Sequence, residues 1–200
     1  MDNTSADRHD LFTRLADLYS RMEGRYNELA SVIGLDCGQC ADNCCVSYFQ
    51  HHTAIEWAYL WHGLSQLDPG RLQSIVDRSH EVVDACRLLM EKGQRPQVMC
   101  PLNDQGWCSL YNYRLMICRL HGIPNQVRMP NGQVRHFPGC QMCQGLIAAM
   151  DTTPVLDRTG FYIELAELER EFAGPPKPHQ ARVNMTLAEM VVAGPPEPGT

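Results

Sequence analysis

Long apolar runs are missing from this sequence. No stretch approaches the roughly 18 consecutive apolar residues that a membrane span requires, so no membrane partner is expected. The opening residues Met1-Asp2-Asn3-Thr4-Ser5-Ala6-Asp7 carry neither a basic nor an apolar segment, and do not read as a secretory signal. The expected compartment is therefore the reducing cytoplasm. Basic charge is also short: 17 Lys and Arg stand against 23 Asp and Glu, a net charge of −6. Binding to a nucleic-acid backbone needs a cationic surface that releases counterions, so no nucleic-acid partner is expected. Aromatic residues make up only 8%, which puts more of the core on aliphatic residues and Met. Common catalytic signatures are absent too. There is no Gly-rich strand-to-helix loop for a nucleotide-like cofactor, and no His-Glu-x-x-His or Gly-x-Ser-x-Gly.

Cysteine is what the chain has in excess. Ten are present, four of them within the nine residues Cys37-Gly38-Gln39-Cys40-Ala41-Asp42-Asn43-Cys44-Cys45. In a reducing compartment, thiols this dense are metal ligands more often than disulfides. Cys37 and Cys40 have the two-residue spacing that lets two thiolates reach one ion from a tight turn, and Cys140 and Cys143 repeat it. Cys100, Cys108 and Cys118 lie between the two pairs. Neighbouring side chains diverge, so Cys44 and Cys45 are suited to feed two adjacent sites or two irons of one cluster. The candidate metal ligands are thus Cys37, Cys40, Cys44, Cys45, Cys100, Cys108, Cys118, Cys140 and Cys143. Two four-thiolate centres would use eight of these nine.

The uneven spacing favours an iron–sulfur cluster, with 4Fe–4S as the expected type, and leaves zinc or iron ions open. One or two centres are both compatible with the count. Cys86, inside a helical run, reads as a small buried hydrophobe. His51, His52, His121 and His136 follow or neighbour the cysteines closely enough to be weighed as ligands, although each also reads as an ordinary surface or hydrogen-bonded histidine. Trp57, Trp61 and Trp107 are expected in the core or shielding the centre.

The expected fold class is mainly α: a helical domain with a cysteine-rich, metal-stapled irregular region and a small β-hairpin. Leu11, Leu15, Leu18, Met22, Tyr26, Leu29 and Ile33 recur at steps of three or four and predict a helix over 8–33, stopped by Gly34. A second helix is expected from Thr53, with Glu56 as its capping-box partner. A third runs from Pro69, capped by Asp68, to about Lys92 and stops at Gly93. Residues 94–145 lack periodicity, apart from a short helical turn around Cys118. Asn131-Gly132 between two extended candidates predicts a hairpin with a two-residue loop. Helix returns over 155–172. The domain is expected to span 1–174, followed by a Pro-rich, partly flexible tail over 175–200 that holds a short helix at 185–192.

In order, Cys37-x2-Cys40-x3-Cys44-Cys45, Cys100-Pro101-Leu102, Gly106-Trp107-Cys108-Ser109-Leu110-Tyr111-x2-Arg114 and Cys118-Arg119 resemble the bacterial CxxCxxxCC cysteine-cluster family. The YkgJ-type proteins belong to it, and it is described as zinc- or iron-chelating. The pattern also resembles the cysteine-rich part of flagellin lysine N-methylases. The resemblance covers about residues 35–124 and implies chelation through Cys37, Cys40, Cys44, Cys45, Cys100, Cys108 and Cys118. Leu115 stands where the family usually has Pro, which permits more helix around Cys118. Cys140 and Cys143 lie beyond the family pattern. Arg114 and Arg119 suit thiolate neutralisation by charge-assisted hydrogen bonds, with an ordinary ion pair as the other reading. The expected function is a metal-binding protein serving a redox or accessory role for a protein or redox partner. A metal-dependent enzyme modifying a protein or small molecule, and a zinc-stapled interaction module, are the alternatives.

Overall fold

The computed structural model describes residues 3–36, 44–174 and 182–196. Over these residues the protein is mainly helical, with small β-elements. The chain divides into two compact units, one of Met1–Cys44 with Cys118–Leu168, the other of Cys45–Ile117 with Glu169–Thr200. Among the described residues no helix is long and apolar enough to cross a membrane.

In the first unit, α1 (Asn3–Ile33) buries Leu11, Leu15, Leu18, Met22 and Ile33 along one stripe, as the spacing predicts. Its end is a Schellman motif: Gly34 (φ 75°) donates to Ser31 O and Leu35 donates to Ala30 O. The helix packs against α5 (Gln141–Ile147) and β5 (Leu156–Asp157). A three-stranded sheet has the order β4-β3-β5, with β3 (Asn125–Arg128) antiparallel to β4 (Val134–Phe137) and parallel to β5.

The hairpin is where the sequence placed it, but its loop is longer than two residues. Met129 N–H bonds Gln133 O at 2.7 Å, leaving Pro130, Asn131 and Gly132 between them. A two-residue turn on Asn131-Gly132 would need positive φ at both. Only Gly132 has it (84°), and the turn instead starts at Met129, whose carbonyl accepts Gly132 N–H at 2.9 Å with Pro130 and Asn131 between them. The helix expected over 155–172 also begins later than its periodicity suggests. Residues 156–157 are drawn into the sheet as β5, Asp157 accepts from Thr159 N–H, and α6 runs Thr159–Ala173.

In the second unit, α2 (Ala54–Leu64), α3 (Pro69–Glu91) and α7 (Leu187–Val192) enclose a core of Leu60, Leu64, Ile75, Leu102, Leu110, Leu115, Met190 and Val191. Asp68 caps α3 by accepting from Arg71 N–H at 2.9 Å, with Pro69 at the first helical position. Gly93 ends that helix in a second Schellman motif. The short helix between the two Pro-Pro boundaries carries a capping box of Thr186 and Glu189. It packs on α3, and its Met190 carbonyl accepts from the indoles of Trp57 (3.0 Å) and Trp61 (2.9 Å).

The segment between α3 and α4 (Met116–Leu120) is not featureless. It holds a tight hairpin, β1 (Asn103–Asp104) with β2 (Trp107–Cys108), and a 3-10 turn at Tyr111–Tyr113. Gln105 (φ 50°) and Gly106 (φ 93°) form its two-residue loop. Trp107, expected in the core or shielding the centre, is not in the core: it is 69% exposed because it stands on this hairpin arm.

Candidate metal centre

In the second unit, the backbone draws Cys45 and Cys100 together. Cys45 sits on a 3-10 turn at Cys44–Val46, and its carbonyl accepts the Cys100 N–H at 2.9 Å. Cys108 pairs across β1–β2 with Asn103, whose own N–H bonds Cys100 O at 3.0 Å. The chain thus folds three cysteines of the motif into one neighbourhood of backbone. Cys100 and Cys108 are partly buried against the core.

In the first unit, Cys118 is partly buried on α4, so the segment around it is helical. Cys140 caps α5, and its Sγ accepts the Cys143 N–H at 3.5 Å; Cys143 itself is fully buried. The turn ahead of Cys140 is fixed by a close backbone crossing. Cys140 N–H bonds Gly122 O at 2.9 Å. A Cβ on Gly139 (φ 84°) would lie 2.6 Å from that oxygen, so only glycine fits there. An N–H pointing at the first sulfur of a Cys-x-x-Cys turn suits a thiolate, because charge strengthens the bond. The donor set and this turn therefore fit a thiolate-bound metal.

Cys37 and Cys40, and the side chain of Cys44, lie outside the described residues. Cys45, Cys86, Cys100, Cys108, Cys118, Cys140 and Cys143 are thiols, not disulfides. Among the described residues no three His, Cys, Asp or Glu side chains come together as a metal-holding group.

The candidate histidines differ in setting. His51 is 4% exposed, exchanges backbone hydrogen bonds with Met185, and is held below its ordinary pKa mainly by burial. Burial lowers His121 likewise. His52 is exposed, and His136 is exposed on β4, paired with Gln126. Arg119 lies over the Tyr19 ring (4.3 Å) and bonds Glu23 (3.3 Å), while Arg114 lies over Tyr111 (3.6 Å). Cys86 is buried on α3, and burial raises its thiol pKa, as suits an inert small hydrophobe.

The sequence pairs Thr53 with Glu56 at the start of α2 but does not show that Glu169 and Met116 join them. Thr53 makes no capping bond there; its hydroxyl donates to Glu56 Oε2 at 2.6 Å. The two first N–H groups of α2 go to Glu169 of α6, both at 2.9 Å. Glu56 is 4% exposed, and its Oε1 accepts Met116 N–H at 2.7 Å. Burial raises the Glu169 pKa, against the pull of its two backbone bonds. Besides the Thr53 and Glu56 spacing, the only sequence signal was an acidic residue on an otherwise apolar helical stretch. Compared with family models, curated proteins and solved structures, the chain matches none.

Proposed function

We propose that this chain is a metal-binding protein of the CxxCxxxCC cysteine-cluster type. In this reading Cys37, Cys40, Cys44, Cys45, Cys100, Cys108, Cys118, Cys140 and Cys143 supply the thiolates for an iron–sulfur cluster or for zinc or iron ions, in one or two centres. The protein would serve a redox or accessory role for a protein partner in the cytoplasm, where the thiols stay reduced. The observation that carries the reading is the ordered cysteine pattern, with four thiols in nine residues and a second Cys-x-x-Cys pair. Two structural features support it: the hydrogen bond from Cys143 N–H to Cys140 Sγ, and the meeting of the Cys45 and Cys100 backbones. When bound, a cluster supplies one-electron transfer, whereas zinc supplies folding energy. The protein's own part is to hold thiolates at tight turns and to keep Cys143 dry.

A structural zinc is the second reading, favoured by the Cys140 and Cys143 turn, whose spacing and capped sulfur suit a closed tetrahedral site. Anaerobic purification followed by metal and sulfide analysis separates the two. Iron with matching sulfide and a broad visible absorbance supports the cluster. A colourless protein with stoichiometric zinc overturns it in favour of the second reading. Absence of any metal from a Cys-reduced, anaerobic preparation would overturn both.

A further inference from the structure

A buried charge must be compensated, and folded proteins rarely leave one alone. Arg158, between β5 and α6, is 5% exposed. Among the described residues no hydrogen bond or ion pair reaches its guanidinium, and Nε is wholly buried with no partner. Its Cζ lies 4.3 Å from the Phe137 ring centroid and 5.1 Å from that of Tyr162. Aromatic faces attract a cation but cannot satisfy its five N–H donors. Burial lowers the basicity of the guanidinium, and Tyr162 is the group that opposes this.

A second unsatisfied group shares the same sheet face. Asn125 pairs with Leu156 on one side and with Phe137 on the other. Strand alternation puts Arg158 on the face of Leu156, Asn125 and Phe137. Asn125 is 5% exposed; its Nδ2 donates to Ile123 O at 3.0 Å, and its Oδ1 is buried with no partner. Buried polar groups are almost always bonded, so a donor and an acceptor left open on one face point to a missing third party. A guanidinium fork matches two oxygens of a carboxylate or phosphate. Phe137 (40% exposed) and Tyr162 (37% exposed) give the face a route to solvent and apolar walls.

We propose that Arg158, Asn125, Phe137 and Tyr162 form a binding site for a small oxyanion-bearing ligand. Its carboxylate or phosphate oxygens take the guanidinium N–H groups, and a neighbouring hydroxyl or amino group donates to Asn125 Oδ1. None of these four residues is among the proposed thiolate ligands.

The test titrates the full chain with sodium phosphate and, separately, sodium lactate, at ionic strength held constant with chloride. The readout is the Nε–H resonance of Arg158 by NMR, with affinity by calorimetry. A saturable shift is expected with phosphate, lactate or both, and the responding probe identifies the oxyanion. Arg158→Gln should weaken binding about tenfold or more, as loss of a charge-assisted pair does. Arg128→Gln, an exposed cation on the same sheet, should leave binding unchanged. The proposal is overturned if neither anion moves the resonance saturably, or if Arg128→Gln weakens binding as much as Arg158→Gln. Should Arg158→Gln fail to fold, the titration of the unsubstituted chain decides alone.

Discussion

Glu169 does the capping that sequence logic assigns to Thr53. Its two oxygens each accept a backbone N–H of α2, from Ala54 and Ile55. Glu169→Ala leaves both donors without that partner in a half-buried place, and should cost about 1–3 kcal/mol. Chemical denaturation of the variant checks this. The same residue gives a pH dependence of known sign. Burial raises its pKa above the ordinary 4.5, so its protonated form is favoured by folding. The associated stability is full below the unfolded value and is lost as pH rises through the folded one.

His51 acts in the opposite sense. Burial holds it below its ordinary 6.5, with Glu56 pulling upward and His52 downward. The stability from its neutral form is present above 6.5 and lost as pH falls through the lowered value. Denaturation midpoints measured from pH 4 to 8 should therefore change differently in two variants. Glu169→Gln should remove the loss on the alkaline side of the carboxylate range. His51→Gln should remove the loss below the histidine range. If both profiles overlay that of the unsubstituted chain, neither group titrates as its burial dictates.

At the scale of elements, two glycines make opposite predictions from the same chemistry. Gly139 cannot take a Cβ: its φ is 84° and the atom would lie 2.6 Å from a backbone oxygen of Gly122. Gly139→Ala should cost about 2–4 kcal/mol and loosen the turn that presents Cys140. Gly24 lies exposed inside α1, with nothing within 4 Å of an added Cβ. Gly24→Ala should stabilise by about 0.5–1 kcal/mol, because the unfolded chain loses freedom it no longer has to give up. Thermal unfolding of the two variants should shift in opposite directions.

Elements were legible where their signals are local. The stripe of α1 repeats at helical steps, and Asp68-Pro69 with Gly93 brackets α3 by chemistry close in sequence. The start of α2 was misread because its cap comes from a residue 115 positions away. Residues 156–157 were misread because their pairing partner, β3, is some 30 residues upstream and competes with helical periodicity. The packing of α7 was hidden for a related reason. A Pro-bounded six-residue helix has no stability of its own, and acquires it from the indoles of Trp57 and Trp61 and the face of α3.

For the whole molecule, the decisive question is what holds the cysteine-rich segments. Their described elements are short: five residues in α4, seven in α5, and two in each strand of the β1–β2 hairpin. Helices and hairpins of this size are marginal without tertiary support. The sequence made the cysteines legible by spacing alone. It could not show which backbones meet, since the approach of Cys45 to Cys100 spans 55 residues and depends on the core between them.

The proposed metal would add to folding stability by mass action, about 4 kcal/mol at a thousandfold excess over Kd. At about 4–8 °C per kcal/mol for a unit near 100 residues, chelation should lower the melting temperature by some 15 °C or more. Cys140→Ser should lower the metal content and reproduce part of that loss. Cys86→Ser is the control: Cys86 is buried on α3 and stands outside the ligand set, so metal content should hold while stability falls modestly. Metal analysis and melting curves of the two variants, with and without chelator, separate a ligand from a packed thiol. A chelator-insensitive melting curve in a metal-loaded sample would mean that these short elements stand on packing alone.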